Sequence, residues 1–325
     1  MGLGPTAIWA IDFEDGIPVP CGDSDLTVMP QAGTFRWLHL SLADQINREW
    51  IRTADSLPAG LRTMLLGAEE HQRALVEEGY LGCVLHDVER DFDRLDAERT
   101  GVLRMALGPS LMVTARHHPL RSADIVRRHV ERDRIPVRSA ADALDLAVSA
   151  IVENIGGVAS AQARQIEEFE DELLDHAERF DHRRLIGIRR RVVQFHRLLS
   201  GMRNVFKRME QDADLPALLL PTVEKLAQQL SAIDDEMLSI HSQLRLLREE
   251  ADLQAAQRTN QNLYVLSILS ALLLPATLVT GFFGMNTGGL PFAHSGYGTA
   301  LAALLGVASS GGVYAMLRAM GLHRS

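Results

Sequence analysis

Apolar positions along this chain follow three successive patterns. Over residues 8–11, 35–40, 82–85, 102–106 and 111–114, short apolar runs with strand-like content alternate with polar turns. Residues 44–52, 60–66 and 72–78 between them have helical spacing. Residues 1–135 therefore read as a small α/β domain, left through Pro119, a helix over 122–132, and Pro136.

From there no proline occurs until Pro216, and apolar residues recur at helical spacing. Ser139 followed by Asp142 is a capping-box-like start, because each side chain can satisfy an orphan amide of the first turn. Two long helices are expected over 139–180 and 182–211, joined near Asp181. Pro216 and Pro221 mark a break before a third. There Val223, Leu226, Leu230, Ile233, Met237, Ile240, Leu244, Leu247 and Ala251 step by three and four, an a/d seam. The first two long helices offer such a seam an internal partner. Its continuity into the apolar segment beyond favours instead a stalk shared between chains. Residues 252–261 hold neither Gly nor Pro, so one helix over 222–283 would run about 90 Å.

The third pattern is a stretch of 59 residues between Arg258 and Arg318 with no Asp, Glu, Lys or Arg. Residues 262–283 and 297–317 are each long enough to cross a hydrocarbon core of about 30 Å as a helix. The division is thus 1–135, an α/β domain; 136–258, a long-helix bundle and stalk; and 259–325, a two-helix membrane hairpin. Arg245, Arg248 and Arg258 precede the first span and Arg318 and Arg324 follow the second, whereas the turn over 285–296 has no basic residue. Both termini are expected on the cytoplasmic side of a cell inner membrane. The N-terminal stretch lacks a basic n-region, so insertion is expected to rely on the C-terminal helices.

One face of the first span carries Asn260, Leu263, Ser267, Ser270, Leu274, Thr277, Gly281 and Gly284, again in steps of three and four and read as a continuation of the seam. Polar side chains within hydrocarbon face protein or a water-filled path. A single Ser or Thr is satisfied by its own helix backbone. Asn260 together with the whole stripe points to a pore lining. Pro275 leaves the Ala271 carbonyl without its usual donor, which bends the helix or bares an oxygen to a passing cation. In the second span Ala302, Gly306 and Ser310, and also Ala308 and Gly312, have the spacing of close helix packing, that of an outer buttress.

Charge excludes some partners. Residues up to 258 hold 31 basic and 42 acidic side chains, a balance that repels nucleic acid and attracts cations. Cys21 and Cys83 form no CxxC pair, which fits a reducing compartment and argues against a thiolate zinc site. No P-loop, HExxH, GxSxG or Gly-rich dinucleotide turn is present; no enzyme activity and no cofactor is expected.

Phe283-Gly284-Met285-Asn286 at the outer end of the first of two C-terminal spans, behind a long helix and an acidic α/β domain, resembles the CorA family of divalent-cation transporters over essentially the whole chain. The resemblance implies a homopentameric funnel with five first spans around the conduction path. Asn286 side chains and Gly284 carbonyls would form a ring of neutral oxygens that holds a hydrated divalent ion through its waters, weakly enough to release it. Magnesium-transporting members usually carry acidic residues soon after this motif. Here Thr287-Gly288-Gly289-Leu290-Pro291-Phe292 follows, with no acid. That resembles the ZntB branch, which implies zinc ahead of magnesium, cobalt, nickel or cadmium, and proton coupling. His294 in the same loop is a possible zinc ligand.

Glu168, Asp171, Glu172 and Asp175 share one helical face with His176 beside them, a weak cation site or an ordinary solvated face. His86, Asp87, Asp91, Asp93 and Asp96 also cluster, but no Gly stands at the turn position that a calcium loop needs. The reading from another class is a membrane-anchored coiled-coil scaffold. A mere anchor has no use for Asn260, Ser267 and Thr277 on the face that ends at Gly284.

Overall fold

Seven strands build one sheet in the computed structural model, in the order β2-β1-β3-β7-β6-β5-β4. The structure describes residues 4–21, 26, 30, 33–90, 99–176, 182–285 and 297–319, which fall into two units, Met1–Leu247 and Arg248–Ser325. The strands are β1 (Ala7–Glu14), β2 (Ile17–Pro20), β3 (Thr34–Ser41), β4 (Arg73–Glu77), β5 (Tyr80–Val88), β6 (Thr100–Leu107) and β7 (Leu111–Arg116). Only β3 and β7 run parallel among the described pairings, because α1 (Gln45–Thr53), α2 (Ala59–Leu66) and β4 to β6 intervene between them in the chain.

Two elements depart from the sequence expectation, both at sheet edges. The helix expected over 72–78 is strand β4. Glu78 and Gly79 both have positive φ, which makes them the two-residue turn of a hairpin in which Glu77 pairs with Tyr80. Glu-Gly is a weaker turn signal than Asn-Gly or Asp-Gly, so the hairpin is hard to see in sequence. β2 is an additional strand that carries Pro18 and Pro20, residues tolerated in a sheet only on an edge.

One sheet face is covered by α1 and α2, where Leu38, Leu40, Ile51, Leu61, Leu65, Val84 and Val113 make a buried core. Each such side chain contributes about 1.5–3 kcal/mol through burial. Gly82 permits the close approach of α2: a Cβ there would lie 2.2 Å from both the Leu61 Cδ2 and the Met64 Cε atoms. On the sheet lies a buried polar network as well. Arg116 Nε donates to His39 Nε2 at 2.9 Å, so the His39 Nδ1 carries the proton and donates to Thr114 Oγ1, also at 2.9 Å. Trp37 donates to the same hydroxyl, and Trp9 stacks on the His39 ring. Burial, with Arg116 close by, lowers the His39 pKa to about 3.

After α3 (Arg121–Glu131) come the long helices α4 (Ala140–His176), α5 (His182–Met209) and α6 (Leu220–Gly284). The start of α4 differs in detail from a capping box. Ser139 Oγ accepts from the Asp142 amide as expected, but the Asp142 carboxylate accepts from the Arg138 amide. The seam on α6 is buried within a single chain at Val223, Leu226, Leu230, Met237, Ile240, Leu244 and Leu247. Over this length the internal bundle prevails over the shared stalk, and Lys225 reaches Asp145 of α4 while Asp234 reaches α5. Ile233 is only half-buried. Asp234 takes the fully buried position instead, accepting from His196 at 2.7 Å, Arg203 at 2.6 Å and Ser200 at 3.1 Å.

Candidate conduction path

Among the described residues, three helices are long and apolar enough to cross a membrane. In α4 half of the apolar window is buried inside its own unit, the mark of a core helix, whereas the windows of α6 and of α7 (Gly298–Ala319) are 0% and 11% buried. The last two are the spans expected from sequence.

They pack through one face of each helix. On α7 Gly306 is buried and Gly298, Ala302, Ser309, Ser310, Val313 and Leu317 are half-buried, and a Cβ on Gly306 would come 3.9 Å from the Ala276 Cα. Ser310 Oγ donates to the Leu272 carbonyl at 2.8 Å, a polar tie between helices that otherwise meet through small residues. Ala308 and Gly312 are exposed and take no part in this contact. On α6 the partly buried positions are Tyr264, Ile268, Leu272, Ala276, Val279 and Phe283. Ala271 and Pro275 are half-buried on the same side, α6 runs unbroken through the proline, and the freed carbonyl is therefore off the polar stripe.

The stripe itself is exposed throughout. Asn260, Leu263, Ser267, Ser270, Leu274, Thr277, Gly281 and Gly284 form a face centred roughly 150° around α6 from the half-buried one at 100° per residue. This face does not continue the seam. From Ala251 to Asn260 is nine residues, which at 100° each is a half-turn. Steps of three and four carry the stripe back instead onto exposed Leu253, Leu246 and Leu238. The expectation that the seam turns into the stripe overlooked this nine-residue step, which the residue spacing itself carries.

Thr277 donates its hydroxyl to the Leu273 and Leu274 carbonyls, at 3.1 and 2.8 Å. Among the described residues no such bond engages Asn260, Ser267 or Ser270. Gly284 is the last residue of α6 and Met285 follows exposed, while Asn286 and His294 lie outside the described residues.

The other candidate clusters have other occupations. Glu168 and Asp171 are exposed, and Glu172 pairs with Arg184, which also lies over the Phe169 ring. The side chains of Asp175 and His176 lie outside the described residues, and among the described ones no group of three potential ligands converges. His86 Nε2 is 2.7 Å from the Glu70 carbonyl. Asp87 is fully buried and accepts from the Ser122 amide and hydroxyl, so it caps the start of α3, and burial raises its pKa. Asp91, Asp93 and Asp96 are outside the described residues.

Sequence reasoning missed the Asp234 group, although an acidic residue amid the seam was its visible sign. Ser200, His196 and Asp234 do not form a nucleophilic triad: Ser200 and Asp234 both approach the same ring nitrogen, Nδ1, so no base is positioned between them.

Residues 32–319 match the family model described as CorA-like Mg2+ transporter protein. The chain belongs to the CorA family. It is 24% identical over 331 aligned residues to the zinc transport protein ZntB of Klebsiella pneumoniae, covering 99% of this chain and 96% of that one. Among solved structures, full-length CmaX aligns with a TM-score of 0.78 at 23% identity, over 96% of this chain and 98% of that one. The CorA magnesium transporter of Methanocaldococcus jannaschii aligns with the same TM-score at 16% identity, again over 96% and 98% of the two chains. These likenesses establish that this CorA-family chain has the full-length fold: an α/β sheet domain, long helices and two C-terminal spans.

Proposed function

We propose that this protein moves divalent metal cations across the cell inner membrane as a homopentamer, with both termini cytoplasmic and the first span of each chain facing a central path. The supporting observation is the polar stripe from Asn260 to Gly284, which α7 leaves uncovered and which leads into Gly284-Met285-Asn286. In hydrocarbon such a face needs protein or water against it, and five copies around an axis supply both. The ring of neutral oxygens at Gly284 and Asn286 then binds an ion through its hydration shell. Charge supplies the driving force, since the membrane potential is worth about 2.3 kcal/mol per elementary charge per 100 mV. The proposed division is residues 1–135 for the α/β domain, 136–258 for the bundle and stalk, and 259–325 for the pore domain.

Zinc is the proposed ion. It is favoured by the acid-free loop after Asn286, by His294 within it and by the Klebsiella relative. Magnesium or cobalt is the second reading, favoured by the family description and the Methanocaldococcus structure. The test is ion flux into liposomes with zinc, magnesium and cobalt compared, with and without a pH gradient. Zinc flux that exceeds magnesium flux and grows with an imposed gradient supports the proposal. Flux of magnesium alone overturns the choice of ion, and no flux of any metal leaves the anchored-scaffold reading.

A further inference from the structure

A cavity of about 780 Å3 opens in the first unit where the sheet edge meets α5. Strand β4 pairs with β5 only from Tyr80 to Val84, while β5 itself runs on to Val88, so the sheet edge is left uncovered by a strand beside His86. Helix α5 walls the gap with one face, on which Arg190, Val193, Gln194 and Arg197 recur at helical spacing and Arg189 stands adjacent. The volume lies within the range of small-molecule sites.

The charge of this cavity runs against that of the chain. The protein carries a net charge of −9, yet among the described residues no carboxylate lines the cavity and three guanidinium groups do. Among the described residues none of Arg189, Arg190 and Arg197 is in an ion pair, whereas Arg184 and Arg191 on the same helix have partners in Glu172 and in Gln162 and Gln165. Seven residues separate Arg190 from Arg197, so their Cα atoms are about 10 Å apart along the axis, a span that a chain of phosphates can bridge. Ile186, Val193 and Leu198 provide apolar lining. Acceptors complete the set. The Thr100 hydroxyl lines the cavity, where it accepts from Gln194 Nε2 at 2.9 Å and keeps a second lone pair. His86 Nε2 faces the Glu70 carbonyl and so carries a proton, which makes the neutral ring's Nδ1 an acceptor.

Cations spaced for phosphates, an apolar wall for a planar ring and acceptors for amine or hydroxyl donors describe one ligand class. We propose that this cavity binds a nucleoside polyphosphate, with Arg190 and Arg197 on the phosphates and the nucleoside against Val193 and Leu198. The test is calorimetric titration of the detergent-solubilised full-length protein in EDTA with ATP, tripolyphosphate and adenosine separately. ATP is expected to bind saturably and less tightly as salt is raised, tripolyphosphate more weakly, and adenosine not measurably. Arg190→Gln with Arg197→Gln, both exposed, should weaken ATP binding at least tenfold without moving the melting temperature. Tripolyphosphate binding as tightly as ATP overturns the nucleoside assignment. No saturable heat up to millimolar ATP, or equal affinity in the double variant, overturns the site.

Discussion

Replacing Asp234 by alanine should cost the bundle about 3 kcal/mol. The carboxylate is fully buried between α5 and α6 and accepts from Arg203, His196 and Ser200. Hydrogen bonds to a charged group are worth about 1.5–3 kcal/mol each, and removing one member of a buried pair costs about 3–5 kcal/mol. The Arg203 and His196 side chains remain 27% and 34% exposed, so water recovers part of the loss and the lower end applies. In a unit of this size each kcal/mol moves the melting temperature by about 2–4 °C, which predicts a fall of roughly 6–12 °C. Thermal unfolding of the solubilised full-length protein, followed by circular dichroism, measures it. Adding Arg203→Met removes the orphaned cation, so the double variant should lose at least about 1 kcal/mol less than the sum of the two singles. An Asp234→Ala protein that melts within 2 °C of its parent would refute this account of the group.

Other expectations are independent of it. His39 should make the first unit acid-sensitive: its folded pKa of about 3 lies below the unfolded value near 6.5, so its stabilisation is complete above pH 6.5 and is lost as pH falls toward 3. About 2 kcal/mol should disappear between pH 7.5 and pH 5, and His39→Gln should flatten that slope in urea melts at the two pH values. Gly306→Leu should drive α7 off α6 at a cost of about 1–3 kcal/mol, read as a lowered melting temperature of the purified protein. Thr277→Cys should crosslink between chains under mild oxidant; a native mass equal to one chain, with no crosslink, would refute the shared axis. Asn286→Ala should abolish zinc flux in liposomes and Asn286→Asp should slow it by holding the ion too long, and unchanged flux in both would remove the motif from the path.

Much of the fold was legible because its signals are periodic and long. Leu226, Leu230 and Met237 announce a helix face whatever they pack against, and the charge-free stretch after Arg258 announces spans by length alone. What the periodicity could not say was which surface covers a face. The seam from Val223 to Leu247 is covered by its own chain, and the polar stripe lies a half-turn away from it. Short edge elements were lost for the opposite reason: β4 has five residues and β2 four, too few for a period to emerge. Buried polar groups were the least legible. Asp87 looks like a metal ligand in sequence and is a cap for α3, because its partners come from 35 residues further on.

The way α7 lies on α6 has a consequence for biogenesis. One helix face is sealed by Ala302, Gly306 and Ser310, and the opposite face leaves Asn260, Ser267 and Ser270 bare. On the proposed assembly, a newly inserted hairpin would present the Asn260, Ser267 and Ser270 side chains to lipid until sister chains arrive, a state that hydrocarbon penalises. In the proposed pentamer, oligomerisation would be the last step of folding for this segment, and a subunit made in excess would keep its stripe uncovered.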